Sequence, residues 1–378
     1  MKGIAYLAIL FVGLSCFSQV TVSEKYVLDN NVKETSGLLV LNNKIITHND
    51  SGDDPKLYEL HAGTGVIERE ITISNASHID WEDITMDDEY IYVGDIGNNN
   101  GNRTDLKIYK IDKDDFTSSI SVAAEIINFS YEDQTDFTSL PNANNFDAEA
   151  LTIFDDSLII FTKNWQNFQT NVYQISKTPG THSATRISKG NVQGLITGAT
   201  VSSENPDLFF LSGYDASLVP FLIVIPENRA PGTDIFNNGF TKVSLENDLE
   251  EGSQVEGISS YALNKLYISR EKFQGNLNGS SIERDPKLYE ITEQFSSLLN
   301  TTSVHKLEVS INNPVGDEIR IQSNLSIKQV RLFSILGKQV LVNFNSNKLM
   351  VNHLKKGLYI LSVHFENDRR ITRKIIIN

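Results

Sequence analysis

The sequence predicts an all-β chain: a five-bladed β-propeller followed by a small immunoglobulin-like β-sandwich. Three observations predict it. A unit made of a short polar or acidic start, an apolar strand, a turn and a second strand recurs five times. Equivalent positions Ser36, Glu82, Glu149, Thr197 and Glu256 are spaced by 46, 67, 48 and 59 residues, a period that suits strand-built propeller blades. The last 74 residues carry about seven short strands at regular spacing, at 307–311, 318–321, 329–334, 339–342, 349–351, 357–365 and 370–377, the pattern of a sandwich.

In chain order, Ser36-Gly37-Leu38 leads to Lys44–Thr47 and Lys56–Leu60. Asp80-Trp81-Glu82-Asp83-Ile84 leads to Tyr90–Asp95 and Leu106–Ile111. Asp147-Ala148-Glu149 leads to Leu158–Phe161 and Asn171–Ile175. Ile196-Thr197-Gly198 leads to Leu208–Leu211 and Pro220–Val224, and Val255-Glu256-Gly257 leads to Lys265–Ile268 and Lys287–Ile291. An outer strand precedes each following unit, at 66–73, 124–129, 184–187 and 240–245, whereas no clear equivalent follows 289–291. A propeller must close to leave no naked sheet edge, so the strand at 20–28 is expected to complete the last blade. A sixth blade would have to hide in 112–146, a polar segment with a single strand signal, so five is preferred. Asn100-Gly101, Asn238-Gly239 and Asn278-Gly279 supply the positive-φ residues of tight turns.

The predicted domains are a signal peptide at 1–18, the propeller at 19–295, a linker at 296–305 and the terminal domain at 306–378. Lys2, the apolar run from Ile4 to Leu14 and a cut near Ser18-Gln19 fit a secretory signal peptide too short to stay in a membrane. A lipoprotein reading through Cys16 is weaker, because Gly13 stands where a branched apolar residue is wanted. Cys16 is the single cysteine, which leaves the mature chain without disulfides. No later segment reads as transmembrane. The net charge of −15 is uneven: residues 305–378 hold 12 basic against 5 acidic side chains, and 19–304 hold 20 against 43. Such an acidic domain repels nucleic acid and anionic lipid and favours cations.

The terminal segment is identified by its motifs. Asn312-Asn313-Pro314, Ile327–Lys338 with Leu336-Gly337-Lys338 at its end, Leu354–Val363 through Gly357-Leu358-Tyr359, and Arg373–Ile377 resemble the type A C-terminal sorting domain of type IX secretion cargo. The resemblance covers residues 306–378. It implies passage through the periplasm, recognition by the type IX machinery and its sortase, removal of the domain, and an extracellular or outer-membrane surface location.

In a propeller the inner-strand starts surround the axis, so Ser36, Glu82, Glu149, Thr197 and Glu256 are expected to form a ring of oxygens. Three converging carboxylates raise one another's pKa, and a calcium ion, with its six to eight flexible oxygen ligands, removes the conflict. Pairing with amides, Lys or Arg is the alternative. The Ser, Glu, Glu, Thr, Glu succession is similar to that of the calcium-activated nucleotidases (apyrases), over 20–295. That resemblance implies a central calcium held by these five residues, with Thr197 in place of a serine. Their nucleotide-contacting residues find no match here.

The second-to-third strand loops complete the mouth with Asp50, Asp95, Arg103, Lys163, Trp165, Tyr214, Arg270 and Lys272. Their cations could clamp an anionic small molecule, and the two aromatic rings could stack on a glycan. Each could equally pair with Asp50, Asp95 or Glu271 around a solvated rim. Trp81, next to Glu82, alternates away from the axis and is expected to pack between blades. Asp50-Ser51-Gly52-Asp53 lacks the closing Glu of a calcium-binding loop and reads as a turn. Phosphate-binding glycine loops, nucleophile elbows and paired metal-spaced histidines are absent from the sequence. Two functions follow: a surface or secreted binding module for an anionic or glycan ligand, or a calcium-dependent extracellular hydrolase of phosphoric esters (apyrase-like or phytase-like) or lactones, with Asp50 or Asp95 as base.

Overall fold

The computed structural model describes residues 20–205, 207–226, 234–250, 252–277, 280–293, 309–323, 326–334, 338–340, 342, 344–345, 347–365 and 370–378. The expected signal peptide (1–18), the linker (296–305) and the Asn278-Gly279 turn lie outside the described residues. Two compact units divide the chain, Met1–Phe295 and Ser296–Asn378.

The first unit begins with β1 (Val20–Val27) and then builds strands in antiparallel groups. The first group is β2 (Thr35–Leu41), β3 (Lys44–Asn49), β4 (Lys56–His61) and β5 (Ile67–Ile73). The second is β6 (Trp81–Met86), β7 (Tyr90–Asp95) and β8 (Lys107–Asp112); after α1 (Lys113–Ser118) and β9 (Ser121–Val122), β10 (Glu125–Tyr131) completes it. The third is β11 (Ala148–Phe154), β12 (Ser157–Thr162), β13 (Thr170–Ser176) and β14 (Gly180–Gly190). The fourth is β15 (Leu195–Val201), β16 (Phe209–Tyr214), β17 (Pro220–Ile225) and β18 (Thr241–Ser244). Past α2 (Glu246–Leu249) come β19 (Val255–Ala262), β20 (Lys265–Arg270), a hairpin of β21 (Phe273–Leu277) and β22 (Ser280–Arg284), and β23 (Lys287–Glu293). The last sheet has the order β1-β23-β20-β19, with Val22 opposite Ile291. The N-terminal strand therefore supplies the outer edge that β23 would otherwise expose. Parallel pairing of β10 with β14 joins the second and third groups into one eight-stranded sheet, and β9 adds to β5.

Residue choice explains these strands. The middle strands are buried on both faces, so Ile45-Ile46, Ile91-Tyr92-Val93 and Leu158-Ile159-Ile160 run without polar interruption. The outer strands β1, β5 and β10 alternate between exposed and more buried positions, the period of a one-sided strand. Asn42-Asn43 and Asp155-Asp156 close their hairpins with positive φ at both residues, as two-residue turns require.

Five apolar clusters lie between successive groups. Leu39, Ile46 and Leu57 meet Trp81, Ile84 and Val93; Tyr92 and Ile108 meet Leu151 and Ile160; Phe161 and Val172 meet Leu211 and Ile223. Phe210 and Leu222 then meet Leu266 and Ile268, and Tyr267 and Leu288 return to Leu38, Ile45 and Tyr58. The inner strands touch in the same cycle: β2 with β6, β6 with β11, β11 with β15, β15 with β19, and β19 with β2. Trp81 is fully buried in the first cluster, its Nε1 donating to Ser77 O at 3.0 Å and its ring stacked on His78.

Three details depart from expectation. The 112–146 segment holds α1 and β9 besides the expected β10, because Asp112 caps the amides of Asp114 and Asp115 and starts a helical turn. The β21–β22 hairpin was not expected, since its polar residues lack an apolar face. The C-terminal unit has eight described strands where seven are predicted: β24 (Val309–Ile311), β25 (Glu318–Ser323), β26 (Ile327–Ser334), β27 (Gln339–Val340), β28 (Phe344–Asn345), β29 (Lys348–Met350), β30 (Gly357–Phe365) and β31 (Arg370–Ile377). They form two four-stranded sheets, β24-β25-β29-β28 and β27-β26-β30-β31. One apolar cluster including Ile319, Ile321, Leu332, Leu349, Leu361 and Ile375 serves both. No helix among the described residues is long and apolar enough to cross a membrane.

Candidate functional site

Each inner strand is irregular at the same place. Pairing to the second strand skips Glu82 between Trp81 and Asp83, Glu149 between Ala148 and Ala150, and Thr197 between Ile196 and Gly198. It likewise skips Ser36-Gly37 and Glu256-Gly257. A bulge frees a residue from the pleat and re-aims its side chain, so all five sequence-equivalent residues sit on one. Strands of neighbouring groups are tied there by short bonds. Ser36 Oγ donates to Glu82 O, Thr197 Oγ1 to Val255 O at 2.6 Å, and Ser212 Oγ to Glu256 O at 2.7 Å. A Cβ added to Gly198 or Gly257 would strike the carbonyl of Glu256 or Ser36. Asp83 reaches furthest. Its Oδ2 accepts from the amides of Leu151 (2.8 Å) and Ala199 (3.2 Å), and its Oδ1 from its neighbour Ile84 (2.8 Å). One side chain thus links three inner strands, β6, β11 and β15.

Both hydroxyls of the expected ring thus tie neighbouring inner strands. Two groupings of carboxyls can be named, and they act on each other, Glu149 on Glu82 above all. In the first, Asp50, Asp80 and Glu82 bring one oxygen each within 4.8 Å of one another, beside Gly97, where a Cβ would collide with both Glu82 and Asp80. Asp50 and Asp80 are close enough to disturb each other's ionisation, and burial raises both carboxyls above their usual range. In the second, Lys163 Nζ lies 3.0 Å from Glu149 Oε1 and 5.0 and 5.4 Å from the ring centres of Trp165 and Tyr214. Glu256, 6% exposed, belongs here by its interaction with Lys163 and Glu149. Asp147 fixes the floor, accepting from Asn98 N at 2.6 Å and Trp165 Nε1 at 2.7 Å.

Burial governs the electrostatics. It pushes Glu82, Glu256 and Asp50 well above the usual carboxylate range, and neighbouring carboxyls add to the push. Burial raises Glu149 to about 8 against the opposing pull of Lys163. Glu271, half-buried at the rim, rises to about 7 for the same reason, with Lys163 again opposing. Burial works against a charged Lys163, but Glu149, Tyr214, Glu256 and Asp147 outweigh it and hold the ammonium protonated. Among the described residues, the buried carboxylate oxygens that lack a hydrogen-bond partner are Asp50 Oδ1, Asp95 Oδ2 and Glu256 Oε2, all at this end of the strands.

The expected anion clamp is not assembled. Arg103 is spent on Asp95 (2.8 Å), Gly97 O (2.7 Å) and Asp105 (3.1 Å), because its own loop folds around it. Arg270 is buried and donates to Asp285 O, Leu249 O and Ser253 Oγ, which anchors α2 to the last sheet. Lys272 lies 3.5 Å from Glu283 of the following hairpin. Of the predicted cations only Lys163 lies within the acidic cluster at the inner-strand starts, the well of the site. Sequence reasoning missed Asp80, Asp83 and Asp147 as site residues, and it treated Glu271 only as a pairing partner. The shared Asp-x-Glu of Asp80–Glu82 and Asp147–Glu149 was the available signal. At the far strand ends a cavity of 490 Å³ is lined by Asp87, Tyr90, Lys110 and Lys177. Its two lysines are paired, Lys177 with Asp87 at 2.8 Å and Lys110 with Glu125 at 3.1 Å.

No curated protein matches the sequence. Among solved structures, the PQQ-bound aldose sugar dehydrogenase of Streptomyces coelicolor aligns over 73% of this chain and 99% of its own, at 11% identity and a TM-score of 0.41. An exo-β-1,3-galactanase of Phanerochaete chrysosporium aligns over 95% and 94%, at 9% identity and a TM-score of 0.42. Residues 312–378 match the family of secretion system C-terminal sorting domains. The C-terminal unit is thus a type IX sorting domain, an address that implies export to the extracellular or cell-surface space.

Proposed function

We propose that the chain is an exported five-bladed β-propeller, residues 20–293, delivered by its sorting domain to act outside the cell as a calcium-centred binding module. The five antiparallel groups, their cyclic packing and the closing β1–β23 pair support the blade count. The cation site has Asp50, Asp80 and Glu82 as its first ligands, with oxygens drawn from flexible carboxylates as calcium prefers. The observation that carries this reading is the orphaned Asp50 Oδ1 inside that cluster. A buried carboxylate oxygen without a partner is costly, and a divalent cation would satisfy it while relieving the crowding of these carboxyls. The ligand of the module would be a glycan, or an anion bridged through the ion, because the well itself is acidic.

Calorimetric titration of calcium into the purified chain tests this. Binding is expected, and Glu82→Gln should weaken it roughly tenfold or more, the scale on which metal sites respond to altered coordination. Absence of binding would refute the reading. Glu271 favours a second one. A rim carboxyl raised to about 7 is suited to general acid–base work near neutrality, as an extracellular hydrolase would need. Calcium-dependent turnover of nucleotides, phytate or lactones, lost in Glu271→Gln, would establish the hydrolase; no turnover leaves the binding module.

A further inference from the structure

The well contains two demands for positive charge, and the chain answers one of them itself. Glu149 and Glu256 sit at the starts of β11 and β19, and both are buried. Lys163 stands against Glu149, its ammonium at 3.0 Å and flanked by the rings of Trp165 and Tyr214, and its charge also acts on Glu256. Its backbone is fixed as well, since Lys163 N donates to Asp147 O at 2.7 Å. The side chain is 7% exposed. A lysine ammonium is a compact point charge with three donors, and here it stands where a small cation would stand. The Glu256 oxygen left without a partner marks the compensation as incomplete: one ammonium does not satisfy every oxygen in this half.

We propose that Lys163 is a tethered counter-ion that occupies the Glu149–Glu256 half of the well and restricts the native protein to a single exogenous cation. Removing its charge while keeping its length would convert that half into a second divalent-cation site. This rests on the calcium proposed for Asp50, Asp80 and Glu82, but the two can fail separately. Lys163 is a specificity-determining residue in this account: it sets how many ions the centre accepts.

The test is calcium titration calorimetry on the full chain and on Lys163→Met and Lys163→Arg. The native chain and Lys163→Arg should bind one ion, and Lys163→Met two, with the added site lost again in Lys163→Met/Glu149→Gln. If the native chain binds none but Lys163→Met binds one ion that depends on Glu149, the tethered counter-ion stands and the Asp50–Asp80–Glu82 site falls. Equal stoichiometry in a folded Lys163→Met overturns the proposal. Should Lys163→Met fold only when calcium is supplied, as followed by circular dichroism, the ion has replaced the ammonium and the proposal holds. If it stays unfolded across the calcium titration while Lys163→Arg folds, the proposal is overturned.

Discussion

Asp83→Ala measures how much of the fold hangs on one side chain. Asp83 is fully buried and accepts three backbone N–H bonds, one each from β6, β11 and β15. Alanine leaves three donors without partners at the tightest point of the inner strands. Each such group costs about 1–3 kcal/mol. Burial also pushes the Asp83 carboxyl well above its usual range, against the pull of those three amides, so removing it recovers part of the loss. A net destabilisation of about 3–5 kcal/mol follows, a large share of the roughly 5–15 kcal/mol of a typical domain. Asp83→Asn keeps one acceptor oxygen but turns an NH₂ toward N–H donors, and should lose about 1–3 kcal/mol. Urea unfolding followed by tryptophan fluorescence is the assay, because both tryptophans, Trp81 and Trp165, lie in the first unit. An Asp83→Ala chain within about 1 kcal/mol of the native one, or one more stable than Asp83→Asn, would refute the reasoning.

Three further outcomes are expected. Gly97→Ala should abolish calcium binding in the titration, because the new methyl would stand where Glu82 Oε1 and the Asp80 carboxyl now lie. Ser36→Ala and Thr197→Ala should each cost about 1 kcal/mol in urea unfolding through a lost strand tie, with calcium affinity unchanged. Calcium-free stability should fall as pH rises through the interval between the ordinary Glu value of 4.5 and the raised value of about 7 for Glu271. There the folded state holds a proton that the unfolded state has released, which contributes a slope of about 1.4 kcal/mol per pH unit. Melting at both ends of that interval, with calcium and with a chelator, checks it: calcium should stabilise more at the alkaline end, and an equal shift at both ends would contradict the assignment.

The strand-start residues were legible because their spacing repeats. Ser36, Glu82, Glu149, Thr197 and Glu256 do occupy matching bulges, but nothing in the sequence says that a hydroxyl there will donate to the next strand's carbonyl. That is decided by how closely the inner strands approach, which depends on glycines such as Gly198 and Gly257. Lys163, Trp165 and Tyr214 were legible as a group by loop position. Arg103 and Arg270 were not separable from them, since a guanidinium's partner is set by local loop folding, as with Asp95 and Asp105 for Arg103. Asp80 and Asp147 were written in the repeating unit itself, two residues before Glu82 and Glu149. Strict alternation puts residues two apart on one face, so this spacing was a signal that the choice of a single ligand per unit passed over. The tail was legible through its motifs, and β28 was missed because two residues leave no period to read.

Anomalous scattering from crystals grown with calcium or a lanthanide tests the central claim most directly. The account predicts a strong peak bounded by the carboxylates of Asp50, Asp80 and Glu82, and none between Glu149 and Glu256 while Lys163 is present. A peak ringed by Ser36, Glu82, Glu149, Thr197 and Glu256 together, or no peak among these residues at all, would contradict it.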